Sequence, residues 1–168
     1  KLRIKKIYLP KIIFPFSATI SVVLDSLLLL ISLMVLTIIL DGKITLAILI
    51  LPISYILLFF FSIGVGLASS ILTTKYKDFM HIIPIILQAG FFLSPIIYDQ
   101  SRIDNKLLNL IFEINPLTIY IDLFRTPLYI GNFPELTTIL YAVLLSSISF
   151  VGGLIFFNQN NKKVVYVL

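Results

Sequence analysis

The chain has 168 residues, of which 59% are hydrophobic and 12% are charged, and its mean hydropathy is +1.08. Soluble domains contain about 45–50% apolar and about 25% charged residues. This composition therefore excludes a disordered chain, a secreted mini-protein and a water-soluble enzyme, and it predicts a bilayer protein. The formal net charge is +5. Because the basic residues stand between apolar runs, membrane topology and lipid headgroups explain them, and no nucleic-acid partner is expected.

Several kinds of chemistry are excluded by what the sequence lacks. It contains no cysteine, and His81 is its one histidine, so disulfides and clusters of cysteine or histidine metal ligands are excluded. The sequence has no glycine-rich phosphate loop of the Gly-x-x-x-x-Gly-Lys-Ser/Thr type. Paired carboxylates with acid/base spacing are also missing from the apolar runs. We therefore expect no bound metal, no cofactor and no catalysis by this chain itself.

The chain begins with a basic segment, residues 1–16, whose two prolines prevent one continuous helix. It contains Tyr8, Pro10 and Lys11, followed by Pro15. Such a loop in the cytoplasm could dock into a cleft on a soluble partner, with Tyr8 in a pocket and Lys11 on an acidic rim. The alternative is a positively charged flank of the first span with Tyr8 as an interface anchor. The residues alone favour the flank.

Four apolar runs follow, and we predict that each crosses the membrane as a helix. They cover residues 17–40, 44–72, 82–98 and 136–157, which are lengths that can cross a hydrocarbon core of about 30 Å. Asp25 interrupts the first run. A charge near a helix centre costs about 2.5–3.5 kcal/mol on insertion scales, whereas each aliphatic neighbour contributes about 0.3–0.6 kcal/mol in favour of insertion. The run should still insert, with Asp25 facing protein or water.

The second and third runs are joined by a short polar turn. It consists of Lys75, Tyr76, Lys77 and Asp78. We expect Asp78 to cap the following helix while both lysines remain in water. His81 lies just beyond the turn and could serve as a proton relay, but a lone histidine at an interface is more often simply solvated.

The third run ends in a group of aromatic and turn-forming residues. Pro95 lacks an N–H group, and the Ser94 hydroxyl can supply a compensating hydrogen bond. Phe92 and Tyr98 could stack on sugar rings, but aromatic belts at membrane interfaces are common and explain them equally simply. Without an independent argument for a substrate, the belt is favoured.

Residues 99–135 are predicted to form an outer, re-entrant region. Within them, Asn115 and Pro116 divide residues 107–130 into pieces of about 8 and 14 residues, each too short to span the bilayer. Broken backbone at membrane depth is stable only where protein buries it or where it lines a wet cavity. We therefore place a transport pathway here first. The alternative is an amphipathic hairpin lying flat on the outer interface.

The distribution of basic residues orients the chain. With both ends in the cytoplasm and residues 158–168 as a cytoplasmic tail, nine basic residues lie inside and four outside, in accordance with the positive-inside rule. If residues 107–130 crossed once, the contrast would fall to seven against five. The sequence thus predicts an all-α integral membrane protein with one domain over residues 1–168, four transmembrane helices and a re-entrant outer helical hairpin. The nine inside are Lys1, Arg3, Lys5, Lys6, Lys11, Lys75, Lys77, Lys162 and Lys163, and the four outside are Lys43, Arg102, Lys106 and Arg125.

A series of motifs in this order resembles the permease subunit of ABC transporters that export polysaccharides or polyol phosphates, such as the O-antigen (lipopolysaccharide), capsule and teichoic-acid exporters. The family's Tyr-Phe-Pro-Arg-like loop and its Arg-Tyr-Arg-Asp-like turn are similar to residues 8–11 and 75–78. Lysines replace the arginines at Lys11, Lys75 and Lys77, which keeps the charge but loses the bidentate guanidinium fork. The remaining matches are Pro15, Gly64, Gly66, Leu67, His81, Pro84, Gln88, Ser94, Pro95, Tyr98, Asn115, Pro116 and Arg125.

The resemblance implies a half-transporter of the cell inner (cytoplasmic) membrane that forms a homodimer and moves a lipid-linked glycan, while a separate ABC ATPase subunit hydrolyses ATP. It implies that Tyr8, Pro10 and Lys11 lie at or near the ATPase contact. It also implies that residues 94–125 form outer gate helices and that Tyr98 faces the glycan. In the family that this sequence resembles, an interfacial helix and two spans precede the loop that is similar to residues 8–11. The resemblance therefore implies that this chain corresponds to the C-terminal two-thirds of such a permease.

Two other functions stay open at this point. One is a permease of the same architecture that exports a drug or a lipid. The other is a membrane-embedded glycan transferase that uses Asp25, Asp122 or Arg125, although these acids have no evident partner base.

Overall fold

The computed structural model describes residues 13–39, 45–96, 112 and 115–161. The regular structure of these residues is helical. Helix α1 is Ile13–Ile39, a 3-10 turn covers Leu46–Ile50, and α2 is Leu51–Lys75. They are followed by α3 (Phe79–Phe92), α4 (Pro116–Arg125), a π-helical turn (Thr126–Ile130) and α5 (Leu136–Asn161).

Three helical segments of the described chain are long and apolar enough to cross a membrane, namely Pro15–Leu36, Leu46–Lys75 and Leu136–Asn160. They coincide with three of the four predicted runs. The remaining run forms α3, whose 14 residues measure about 21 Å at 1.5 Å per residue, less than the hydrocarbon thickness of about 30 Å. The sequence-based run to residue 98 is wrong for residues 93–96, which form a turn, because Pro95 cannot donate the hydrogen bond that continues a helix.

Helices α1 and α3 begin earlier than the hydropathy suggests. Helix α1 starts at Ile13, so the predicted loop over residues 1–16 is too long by four residues. Pro15 lies in the first turn of α1 and Pro52 in the first turn of α2. The first N–H groups of a helix have no partner within it, so proline removes no hydrogen bond at these positions.

Helices α2 and α5 form the central pair of the structure. They approach closely at Gly64 and Gly153, where a Cβ on either glycine would overlap the backbone of the other helix. Two serines of α5 donate hydrogen bonds across the pair, Ser146 to the carbonyl of Leu57 at 2.8 Å and Ser149 to that of Phe61 at 2.9 Å. Helices in a bilayer gain little by burying apolar surface against each other, so close packing at small residues and hydrogen bonds between helices hold them together.

Helix α1 packs on α2 along a narrow stripe. The Tyr55 hydroxyl of α2 donates to the Ser26 carbonyl at 3.0 Å, and Phe16 meets Phe59 edge to face. Asp25 lies outside the stripe and is exposed on the helix surface. That position agrees with a carboxylate facing water or another protein surface, which stays a prediction. The partly buried positions recur every three or four residues at Pro15, Thr19, Val23, Ser26, Leu30 and Met34.

Helix α4 lies against both members of the central pair. The Tyr120 hydroxyl is 2.7 Å from the Ser146 hydroxyl, and Leu123 and Ala142 are buried beside Tyr120. Beyond α4, Gly131 adopts a left-handed conformation with φ of 79°, which favours glycine. Thr45 Oγ1 donates to the Gly131 carbonyl at 2.7 Å, which ties the start of the α2 segment to the loop before α5.

Candidate functional site

The end of α3 and the start of α4 are joined by one side chain. Asn115, at the N-cap of α4, accepts a hydrogen bond from the Leu117 amide on Oδ1 at 3.0 Å. Its Nδ2 donates to Ser94 Oγ at 2.8 Å and to the Leu93 carbonyl at 3.2 Å. Ser94 Oγ in turn donates to the Gly90 carbonyl at 2.7 Å. We call residues 93–96 the gate turn, and Asn115 holds this turn against the beginning of α4.

Arg125, at the other end of α4, holds the same turn from a second point. Its Nη1 donates to the Pro95 carbonyl at 3.3 Å. A basic residue in the last turn is also favoured by the negative end of the helix dipole. Ser94 and Pro95 are almost fully buried, whereas Leu93 and Ile96 on either side of them remain 42% and 43% exposed. Protein therefore encloses the middle of the gate turn but not its two ends.

Asp122 lies one helical turn before Arg125. Burial raises the pKa of its carboxyl above the ordinary value, and the Arg125 charge acts in the opposite direction. Desolvation therefore outweighs the attraction between the two groups. The last turn of α4 thus carries Arg125 beside an acid that is easier to neutralise than usual.

A cavity of about 870 Å³ lies beside the gate turn, between α1, α2, α3 and α4. Its walls are aliphatic and aromatic, with Arg125 as the charged group among them. The volume falls within the range of small-molecule sites, about 300–1,000 Å³. It is lined by Leu33, Leu58, Leu87, Phe91, Ile96, Leu117, Tyr120, Ile121, Phe124, Arg125, Leu128 and Tyr129.

The structure brings together part of the predicted outer gate. Ser94, Pro95, Asn115 and Arg125 meet at the gate turn, and Pro116 is the first residue of α4. Phe92 ends α3 and is largely exposed. The remaining member of the set, Tyr98, lies outside the described residues.

The predicted cytoplasmic turn is exposed and aromatic. Lys75 ends α2, with its Nζ 5.2 Å from the centre of the Tyr76 ring, and that ring lies beside Phe79. Lys77 is exposed. The expectation that the Asp78 side chain caps α3 is wrong, since it makes no capping hydrogen bond. Asp78 already has helical backbone angles, whereas a capping residue has an extended backbone that aims its side chain at the helix.

The other predicted contact residues fall mostly outside the described chain. This applies to Tyr8, Pro10 and Lys11, while Pro15 lies in the first turn of α1 and its carbonyl accepts a hydrogen bond from Thr19. In the part of the chain that the structure describes, no group of three or more histidine, cysteine or acidic residues could hold a metal ion.

The sequence did not predict the hydroxyl hydrogen bonds that join α4 to α2 and α5. Tyr120 and Ser146 bond each other in the interior, and Ser54 of α2 donates to the Leu123 carbonyl at 3.5 Å. A usable signal is the spacing of small residues in α5, where positions 142, 146, 149 and 153 lie on one face. The partner of that face cannot be read from its spacing.

Comparison with known protein families identifies the class of this chain. Residues 1–129 match the ABC-2 type transporter family, and the chain belongs to that family. Together with the long apolar helices, membership makes it an all-α, multi-pass membrane protein and the permease component of an ABC transporter, and it implies an ABC ATPase partner. No curated protein and no solved structure matches the chain.

Proposed function

We propose that this permease exports a lipid-linked polysaccharide or polyol phosphate across the cytoplasmic membrane, as a homodimer with an ABC ATPase. The ordered series of glycan-exporter motifs supports this cargo. The observation that carries the proposal is the hydrogen bond between Asn115 and Ser94, because it joins two motifs that lie 21 residues apart in the sequence. Both motifs belong to the outer gate in the resemblance.

The proposed topology has four crossings, both ends in the cytoplasm and residues 99–135 dipping into the membrane from outside. In the third crossing, residues 82–98, α3 is too short to span the hydrocarbon core alone, and the gate turn continues the crossing beyond it. Helix α4 has 10 residues, about 15 Å at 1.5 Å per residue, and cannot cross by itself. The burial of Ser94 and Pro95 in the middle of the gate turn supports a re-entrant break within the protein rather than a hairpin lying flat on the interface. Labelling that finds Lys1 and Lys162 on opposite sides of the membrane would contradict this topology.

The basic entry segment is proposed to transmit ATP-driven movement to the spans. Tyr8, Pro10, Lys11 and Pro15 would contact the ATPase, together with the exposed turn of residues 75–78. Tyr8→Ala or Lys11→Glu in the complete transporter should uncouple export from ATP hydrolysis while membrane insertion continues. Lys5→Glu makes the same charge change outside the Tyr-Pro motif and is the matched control.

The outcome is read from polymer export and phosphate release in the same cells or vesicles. Hydrolysis that persists while export falls in the two motif variants supports coupling through this segment. Unchanged export in both, or an equal loss in Lys5→Glu, would contradict the docking role.

The gate turn is proposed to close the outer end of the pathway. Ser94→Ala removes the acceptor of the hydrogen bond between these two side chains, and Asn115→Asp removes its amide donor. Asn115→Asp keeps an oxygen that can cap α4. Both variants should export less polymer at normal protein levels. Wild-type export by both would argue against a gate at this position.

Export of a drug or a lipid is the second candidate, and the apolar cavity of about 870 Å³ favours it. The two cargoes are separated by deleting the gene. Polymer on its lipid carrier should accumulate inside the cells if the glycan is exported. Normal surface polymer with changed drug sensitivity would support the alternative and contradict the glycan.

A further inference from the structure

The cavity beside the gate turn has the wrong chemistry for water. Apart from Arg125, Tyr120 and Tyr129, its walls are side chains that offer water no hydrogen bonds. Apolar walls of this kind favour apolar molecules over water. In a membrane protein, the apolar material at hand is lipid hydrocarbon.

The cavity also opens towards the surface of the helix bundle. Leu87 and Phe91 of α3 line it and remain 56% and 45% exposed, and Leu33 of α1 is 45% exposed. These side chains are partly in the cavity wall and partly on the surface that would face lipid. A chain from the bilayer can therefore enter sideways without separating α2 from α5.

Arg125 supplies a charge at one wall of this apolar space. A guanidinium group has five N–H donors, and Nη1 of Arg125 donates to the Pro95 carbonyl, which holds the group in place. A charged group in apolar surroundings is stabilised by an opposite charge. The planar donor fork of arginine fits the oxygens of a phosphate group, and it does so better than lysine.

We propose that this cavity binds an anionic phospholipid of the surrounding bilayer, with its phosphate on Arg125 and its acyl chain along Leu87, Phe91 and Leu117. The site lies between helices of a single copy, and the phospholipid is proposed as a resident lipid and not as the exported cargo. Asp122, one turn before Arg125, competes with the phosphate for the same cation. Lipid bound here would contact both α3 and α4 and would stabilise the gate turn between them.

The test uses the complete transporter in nanodiscs, with photoactivatable phosphatidylglycerol as the anionic probe and photoactivatable phosphatidylcholine as the zwitterionic control. Arg125→Gln should weaken phosphatidylglycerol binding roughly tenfold, because it removes a charge-assisted hydrogen bond, and should leave phosphatidylcholine labelling unchanged. Asp122→Asn should strengthen phosphatidylglycerol binding. Equal labelling of wild type and Arg125→Gln, or an equal fall for both lipids, would overturn the proposal, and so would weaker binding by Asp122→Asn.

A second pair of variants tests the place of the acyl chain and does not depend on Arg125. Leu87→Trp fills the cavity and should reduce phosphatidylglycerol labelling several-fold. Ile85→Trp puts the same side chain on the exposed surface of α3 but outside the cavity wall, and it should label as wild type. Equal labelling by the two tryptophan variants would show that the probe reports bulk lipid and would overturn the site. Loss of export with unchanged lipid labelling would instead concern the transport function.

Discussion

The crossing of α2 and α5 leaves no room for a single methyl group, and Gly64→Ala tests this directly. A Cβ on Gly64 would overlap the backbone carbonyl group of Ser149, and one on Gly153 would overlap backbone atoms of Gly64. Backbone cannot rotate away as a side chain can, so the two helices must separate. Their separation would lengthen the hydrogen bonds that Ser146 and Ser149 donate to α2.

The expected loss of stability follows from these contacts. Overpacking costs about 1–3 kcal/mol, and hydrogen bonds between membrane helices average about 0.6 kcal/mol each. Replacing glycine by alanine within a helix gains about 1 kcal/mol in the opposite direction. Gly64→Ala should therefore lower the free energy of unfolding by about 1–3 kcal/mol, and Gly153→Ala should act similarly.

Two neighbouring glycines provide matched controls. A Cβ on Gly66 or Gly152 meets nothing within 4 Å, so alanine at either position should be neutral or stabilising by up to about 1 kcal/mol. The assay is reversible unfolding in mixed micelles, with all four variants and wild type compared at the same detergent composition. Gly64→Ala as stable as Gly66→Ala would refute the close approach of the two helices.

Three smaller predictions concern α4 and the loop after it. Tyr120→Phe removes the hydroxyl that bonds Ser146 and should lower the free energy of unfolding by about 0.6 kcal/mol, and by at most about 1.7 kcal/mol, in the same micelle assay. Gly131→Ala should cost about 1–2 kcal/mol because φ is 79° there, whereas Gly131→Asn should be milder; equal stabilities would contradict the strained turn. Burial raises the pKa of Asp122 in the folded protein. The contribution of this group to stability should therefore be fully present below the unfolded pKa of about 3.9. It should be lost as the pH rises through the raised pKa of the folded state. The thermal unfolding temperature should fall with rising pH in wild type more than in Asp122→Asn. Identical pH profiles for the two proteins would contradict the raised pKa of Asp122.

Hydropathy alone determined much of the fold. Long, predominantly apolar runs of this length form helices in a bilayer, because every backbone N–H and carbonyl then has a partner within the segment. The helices α1, α2 and α5 follow from this requirement. Proline and asparagine also act locally. Helix α3 ends shortly before Pro95, and α4 starts at Pro116 after Asn115, so both boundaries reflect residues visible in the sequence. The apolar run itself continues to Tyr98.

The assembly of the site was decided by tertiary structure. The sequence places Asn115 and Ser94 in separate motifs, and nothing in their spacing says that the amide would donate to that hydroxyl. The same holds for Arg125 and the Pro95 carbonyl. Helical periodicity tells which residues share a face, but not which face of which helix lies opposite. Which faces pack together depends on how closely two backbones can approach. Gly64 and Gly153 allow α2 and α5 to approach closely, but this is visible only when both helices are seen in place.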